Sequence, residues 1–533
     1  MIHFLYILTA VLSVCTCTDI QQYISPSIWP APTHITYGQS TIYISSQLHF
    51  ITQSADDDDI KTLSKAYDRY TSLIFIHTYS DIEHTVTPLI NKVMVTVYNE
   101  SEIYPQLNTN ESYSLIISTN DTIHLVAETV YGALRGLETL SQLILYNYDT
   151  GVYYIDSVPI TIQDTPRYPH RGLLLDTSRH YQPIAEIERT IDALSYAKFN
   201  VLHWHAVDTQ SFPFQSLSYP DLWKGAYTPV ERYRHDDIAS LVEYGRERGV
   251  RVMIEFDVPG HAASWCAGYP EICPSNICLQ PLDPSNELTF DVIDGLLGEC
   301  TGRAAGEGTF PYSLIHLGGD EVDYTCWTVS EHIQEWAKKQ GLESNEDIYK
   351  YFLDRAASIA REQGRIPVQW VEVFEHFGSA LDNDTLVHVW KDKSTLDDVL
   401  TAGYKALLSN QALWYLDHLD TTWEDMYTNE PTDDLSPTSD PTLILGGEAC
   451  MWGETVDPSD LDATIWPRAA AVAERLWSPK DQTDIESAED RLQTFRCLLA
   501  ERGIAAAPVL NNKARSSPPN PGSCYAQRRL RIN

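Results

Sequence analysis

The chain has 533 residues, 43% of them apolar, enough for a large core, and carries 74 acidic against 37 basic side chains for a formal net charge of -37 at pH 7. That balance argues against nucleic acid and anionic membrane surfaces as partners, since both repel a polyanion. It suits an acidic lumen or extracellular fluid, where partial protonation eases the repulsion, and it equally keeps a secreted protein in solution.

Residues 1–17, built on the apolar run Phe4-Leu-Tyr-Ile-Leu-Thr-Ala-Val-Leu-Ser-Val14 and closed by small residues, predict a secretory signal. No later segment approaches the length of a membrane span. Sequons at Asn99, Asn110, Asn120 and Asn383 fit passage through a glycosylating pathway, lysosomal, vacuolar or secreted. Eight of the ten cysteines lie beyond the signal with spacings unlike those of zinc ligands, so disulfides are expected.

Residues 18–165 read as a small α+β domain. Strand-like runs at Lys92–Tyr98 and Tyr113–Ser118 alternate with helical patterns at Asp57–Ile74 and Tyr131–Leu143. The stretch Ile162–His170, with two prolines, marks the boundary. Over residues 166–533 eight apolar runs recur with helical patterns between them. They are Gly172–Asp176, Asn200–Trp204, Arg251–Phe256, Ser313–Leu317, Ile366–Trp370, Thr385–Trp390, Lys405–Leu408 and Leu443–Gly446. Strand and helix alternating in this way predict an α/β fold, a (β/α)8 barrel with a C-terminal extension, whose functional groups sit at the C-terminal strand ends.

Those ends carry Asp176 and His180, His205 and Asp208, Asp257 and His261, Asp320 and Glu321, Trp370 and Glu372, Trp390, Tyr415 and Asp417, and Trp452 and Glu454. Carboxylates and tryptophans around one mouth suit a sugar, whose hydroxyls need acceptors and whose ring faces stack on aromatic planes. The adjacent acids Asp320 and Glu321 follow two glycines, a place where the backbone turns tightly. They suit a site that divides proton transfer and orientation between carboxylates. The same stretch also reads as a turn leading into a helix whose first turn favours acids. His203 and His205 share a strand face, as a metal pair would, but no second ligand cluster follows, and no metal or cofactor is expected. Nucleophile-elbow, Walker and dinucleotide motifs are absent in a convincing context.

Arg171–His180, Val201–His205 with Asp208, Pro259-Gly-His261, His316–Val322 with Cys326-Trp327, and Gly447–Glu454 resemble the family 20 glycoside hydrolases, the β-N-acetylhexosaminidases of the eukaryotic lysosomal and secreted type. The resemblance implies an exo-acting enzyme that removes terminal β-linked GlcNAc or GalNAc, the substrate's own 2-acetamido oxygen attacking the anomeric carbon. It implies Glu321 as general acid/base and Asp320 as the acetamido-orienting carboxylate. Asp208 and His261 would form a pair behind the acid, and Tyr415 would bond the acetamido oxygen. Arg171, Glu454 and Asp417 would grip sugar hydroxyls, with Trp370, Trp390 and Trp452 as pocket walls. It further implies disulfides Cys278–Cys326 and Cys497–Cys524 and a possible homodimer. Cys266, Cys273 and Cys300 have no counterpart, a local Cys266–Cys273 bridge being one option, and Cys450 reads as a buried thiol. Asp417-His418 departs from members that carry Asn-Arg there and handle anionic substrates.

Overall fold

The computed structural model describes residues 26–77, 86–119, 122–302 and 308–509. The expected signal segment, Asn120 and Cys524 lie outside them.

The first unit is a six-stranded sheet of β1 (His34–Gln53), β2 (Leu89–Val97), β3 (Tyr113–Ile117), β4 (Ile123–Ala127), β5 (Leu145–Asn147) and β6 (Val152–Asp164), ordered β1-β2-β4-β3-β6-β5. Alternation makes the sheet: Val93, Val95 and Val97 turn inward along β2. Helix α1 (Asp57–Ile74) is capped by Asp56 and buries Leu63, Ala66, Tyr70 and Ile74 at helical spacing. Helix α2 (Val130–Leu143) is buried on every side. A Cβ on Gly136 would collide with Leu125 beneath it, so the helix lies close on the sheet. On its other side Arg135 donates to the backbone oxygen of Gly249 at 2.7 Å, which ties α2 to the next unit.

That unit is a closed barrel of eight parallel strands: β7 (His170–Asp176), β8 (Val201–Val207), β9 (Arg251–Phe256), β10 (Leu314–His316), β11 (Ile366–Trp370), β12 (Leu386–Val389), β13 (Ala406–Leu408) and β14 (Ile444–Met451). Val201, Met253, Leu314, Val368, Leu386 and Leu407 meet as an apolar floor inside it. Two residues further along their strands, His203, Glu255, His316, Trp370, His388 and Ser409 stand above that floor, since every second residue of a strand faces the same way.

The amino-terminal end of the barrel corrects one expectation. Arg171 is the second residue of β7, before the apolar run, and is fully buried at the end opposite the mouth. Its guanidinium donates to both carboxylate oxygens of Glu111 at 2.8 Å, to the Tyr168 backbone oxygen at 2.8 Å and to that of Lys198 at 3.0 Å. Burial would raise the Glu111 pKa, but Arg171 and Arg135 outweigh it and hold it at about 2. Arg171 therefore clamps the two units together and cannot touch a ligand at the carboxyl ends of the strands.

Candidate active site

Beyond β10 the chain turns through Gly318 and Gly319, at φ 65° and 98°, and then Glu321 at φ 49°. The glycines are obligatory: the left-handed backbone disfavours a Cβ, and one on Gly318 would run into the Asp257 carboxylate. Asp257 accepts the Gly319 N–H at 2.9 Å and so fixes the turn from β9. Its own carboxyl is pushed well above the usual range by burial and by the nearby charge of Asp320. The outcome is a pair of acids with different surroundings. The Asp320 side chain is 14% exposed and that of Glu321 is 61% exposed.

His261, itself in the left-handed region at φ 51°, stands between them. Its Nε2 lies 3.7 Å from Asp320 Oδ2 and 3.7 Å from Glu321 Oε2, while Nδ1 faces the two Asp208 oxygens at 3.1 and 3.2 Å. Burial alone disfavours the charged ring, yet the charge of Asp320 and the hydrogen bonds to Asp208 outweigh it and hold His261 protonated well above the ordinary histidine range. An apolar pocket with a like-charged neighbour would raise the Glu321 pKa, but the facing His261 cation is the larger effect and lowers it.

Asp208 also receives His205 Nε2 at 3.0 Å and the guanidinium of Arg179 at 2.7 Å. Burial works against its charge, but the hydrogen bonds from His205 and His261 hold its pKa far below the usual range. Arg179 is a charged residue of the mouth that sequence reasoning did not single out. It follows β7 at the mouth, pairs with Asp176 at 3.0 Å, reaches to within 3.9 Å of Glu454 and lies over the Trp452 ring at 5.2 Å. The signal was available in its position beyond the apolar run, at the end where barrel function sits.

Trp370, Tyr415, Cys450 and Leu174 form one cluster with Trp390 and Trp452 packed on it. Trp370 donates its indole N–H to Glu255 at 2.9 Å, and Trp390 donates to Glu372 at 3.0 and 3.1 Å. Burial and the charge of Asp320 raise the Glu372 pKa, and the Tyr415 hydroxyl, raised chiefly by burial, also feels Asp320. Asp320 Oδ1, Asp417 Oδ1 and Trp452 Nε1 are buried without a hydrogen-bond partner among the described residues. Buried polar atoms are normally satisfied, so three of them around one aromatic mouth are groups for a ligand to complete. Glu454, 54% exposed, stands at the rim. Of the site residues expected from sequence, the structure thus gathers Asp208, His261, Asp320, Glu321, Trp370, Trp390, Tyr415, Asp417, Trp452 and Glu454 here and leaves out Arg171.

His203, His316 and His388 bring ring nitrogens within 4.8 Å of one another, as do carboxylate and ring atoms of Asp257, His261 and Asp320. In the first trio the rings are engaged: His203 with Glu448 at 2.7 Å, His388 with Ser409 at 2.7 Å and with His316 at 3.3 Å. Such an arrangement is a hydrogen-bond network rather than a set of lone pairs aimed at one ion. Disulfides join Cys266 to Cys273 and Cys278 to Cys326. Cys497 is disulfide-bonded as well, while Cys300 and Cys450 are buried free thiols. Asn99, Asn110 and Asn383 are exposed.

The chain matches the family model of the glycosyl hydrolase family 20 catalytic domain over residues 168–480, and that of a beta-acetyl hexosaminidase-like domain over residues 28–143. It belongs to glycosyl hydrolase family 20. Relatives within that family include Beta-hexosaminidase 1 of Arabidopsis thaliana, 43% identical over 524 residues that cover 94% of each chain. The Beta-hexosaminidase subunit alpha of Mus musculus is 39% identical over 512 residues, covering 91% of this chain and 94% of its own. Among solved structures, the family 20 chitobiase of Flavobacterium johnsoniae superposes with a TM-score of 0.77 at 30% identity, over 91% of this chain and 74% of its own. No helix among the described residues is long and apolar enough to cross a membrane.

Proposed function

We propose that this chain is an exo-β-N-acetylhexosaminidase that releases terminal non-reducing β-linked GlcNAc or GalNAc with retention, the substrate's acetamido oxygen serving as nucleophile. The observation that carries the mechanism is the unequal pair of acids on one imidazolium: Asp320 buried beside the aromatic pocket with Oδ1 unpartnered, and Glu321 exposed at the rim. In the first step the acetamido oxygen bonds to the anomeric carbon as the glycosidic bond breaks. The Glu321 proton passes to the leaving oxygen, and Asp320 accepts the acetamido N–H, whose nitrogen gains positive charge. The product is a bicyclic oxazolinium ion. In the second step Glu321, now ionised, takes a proton from water as its oxygen attacks the same carbon and restores the acetamido group. Trp370, Trp390, Trp452 and Tyr415 enclose the acetamido group, and Arg179, Asp417 and Glu454 hold ring hydroxyls. The sequons, the disulfides and an acid Glu321 suit an acidic compartment of the secretory pathway.

Paired aryl β-GlcNAc, β-GalNAc and β-glucose substrates test the reading. The two acetamido sugars are cleaved and the glucoside is not, because it lacks the nucleophile. Glu321→Gln lowers kcat about 10²- to 10⁴-fold, less for a good leaving group. Turnover of the glucoside at a comparable rate, or near wild-type turnover by Glu321→Gln, overturns it.

A further inference from the structure

The mechanism above uses the imidazolium of His261, which Asp208 holds, but not the polar layer inside the barrel beneath them. Glu255 is at its centre, fully buried and turned inward from β9. Its Oε1 accepts the Trp370 indole N–H at 2.9 Å and faces His316 Nδ1 at 3.0 Å. Its Oε2 faces His205 Nδ1 at 2.6 Å and His203 Nε2 at 3.0 Å. The other ring nitrogen of His205 reaches Asp208 at 3.0 Å, and Asp208 in turn holds His261. A second buried carboxylate, Glu448, receives His203 at 2.7 Å and His170 at 2.6 Å. Burial disfavours a charged His203, but Glu448 and Glu255 outweigh it and raise its pKa to about 9, so the layer is an internal balance of cations and anions. Stability does not call for such a layer. An apolar filling of the same volume is often neutral or stabilising relative to buried ion pairs, and barrels of this type are ordinarily filled by branched aliphatic side chains.

We propose that Glu255 is a positioning residue that couples the two halves of the site from inside the barrel. One carboxylate oxygen orients the Trp370 wall, and the other orients His205, hence Asp208, His261 and the acid Glu321. No atom of Glu255 touches substrate; it acts through the groups it holds. The inference deepens the proposed function and rests on His261 being the partner of Glu321.

A double-mutant cycle separates the two. Glu255→Gln keeps the volume and an oxygen for the indole N–H, but its amide cannot serve as the anionic acceptor for His205. With kcat/KM measured on a disaccharide and on an aryl glycoside with a good leaving group, the variant loses about tenfold more on the disaccharide, the scale of one charge-assisted hydrogen bond. In a His261→Ala background that extra loss disappears, because the link it acts through is already gone. An equal loss on both substrates, or an extra loss that persists without His261, makes Glu255 merely structural and overturns the proposal. If His261→Ala alone leaves leaving-group dependence unchanged, it is the reading of His261 that fails. Should Glu255→Gln not fold, Glu255→Asp takes its place in the same cycle, since it keeps the charge but withdraws the carboxylate from the Trp370 indole N–H and from His205. The same extra loss on the disaccharide, absent in the His261→Ala background, is expected, and an equal loss on both substrates overturns the proposal.

Discussion

Arg171 and Arg179 lie at opposite ends of one strand, and conservative replacement of each should fail in a different way. Five residues of extended chain from Arg171 to Asp176 put roughly 16 Å between the barrel's lower rim and its mouth. Arg171→Lys keeps a charge for Glu111 but loses the fork that spans Glu111, Tyr168 and Lys198. Two or so lost bonds, with buried carbonyls left unpaired, cost about 2–4 kcal/mol. The urea midpoint should fall while kcat/KM on an aryl β-GlcNAc substrate stays near that of the wild type. Arg179→Lys gives the reverse. Its fork spans Asp176 at 3.0 Å and Asp208 at 2.7 Å, and an ammonium cannot hold both in the same geometry. Losing one charge-assisted bond, about 1.5–3 kcal/mol, lowers kcat/KM roughly 10- to 150-fold. Midpoints are compared rather than extrapolated free energies, since a chain of two units need not unfold in one step. A tenfold kcat/KM loss in Arg171→Lys at an unchanged midpoint, or wild-type kinetics in Arg179→Lys, refutes the assignment.

The acid pair gives two further expectations. Asp320→Asn should bind a thiazoline mimic of the bicyclic intermediate far more weakly than wild type yet bind GlcNAc almost equally, because the carboxylate matters most when the acetamido nitrogen becomes positive. Equal losses for both ligands, measured by titration calorimetry, would make Asp320 a ground-state anchor. For pH, kcat/KM should peak in the acid range and decline on the basic side as the free enzyme's Glu321 loses its proton. His261⁺ favours the ionised form of Glu321 and lowers its pKa, so His261→Ala, tested on a substrate whose leaving group needs protonation, moves that limb to higher pH while lowering the maximum. A limb that stays put or moves to lower pH would show that Glu321 does not feel His261.

The barrel was legible because each apolar run is short and bounded, and all eight runs became strands. The place of the acid pair was legible because two glycines and two acids follow an apolar run at a strand end, although that stretch by itself also reads as a turn into a helix. The arginine was misassigned because the motif Arg171–His180 offers two, and resemblance alone does not say which end of the strand each occupies. The polarity of the barrel does: Arg171 precedes Leu173-Leu174-Leu175 and Arg179 follows them. The two opposing influences on the Glu321 pKa were legible, but not which one wins, since that depends on a histidine sixty residues earlier in sequence pointing between two carboxylates. Glu255 did leave a trace, as a charged residue inside the apolar run Arg251–Phe256 with the same inward parity as Met253.

That parity gives the catalytic unit its physical order. Along β8 the inward residues run from Val201 in the apolar floor to His203 and His205 in the charged layer, and Asp208 follows at the mouth. Along β10 the series runs from Leu314 through His316 to Asp320. The lower part closes the barrel by burying apolar surface and is sealed to the first unit by Arg171 and Arg135 on Glu111. The upper part has traded some of that burial for ionised side chains, which fix hydrogen-bond directions as aliphatic side chains cannot. Substitutions low in a strand should therefore act through folding, and substitutions high in it through chemistry. The middle layer is where the two can be coupled, because there one carboxylate, Glu255, both completes the charge balance of the interior and holds a wall of the site.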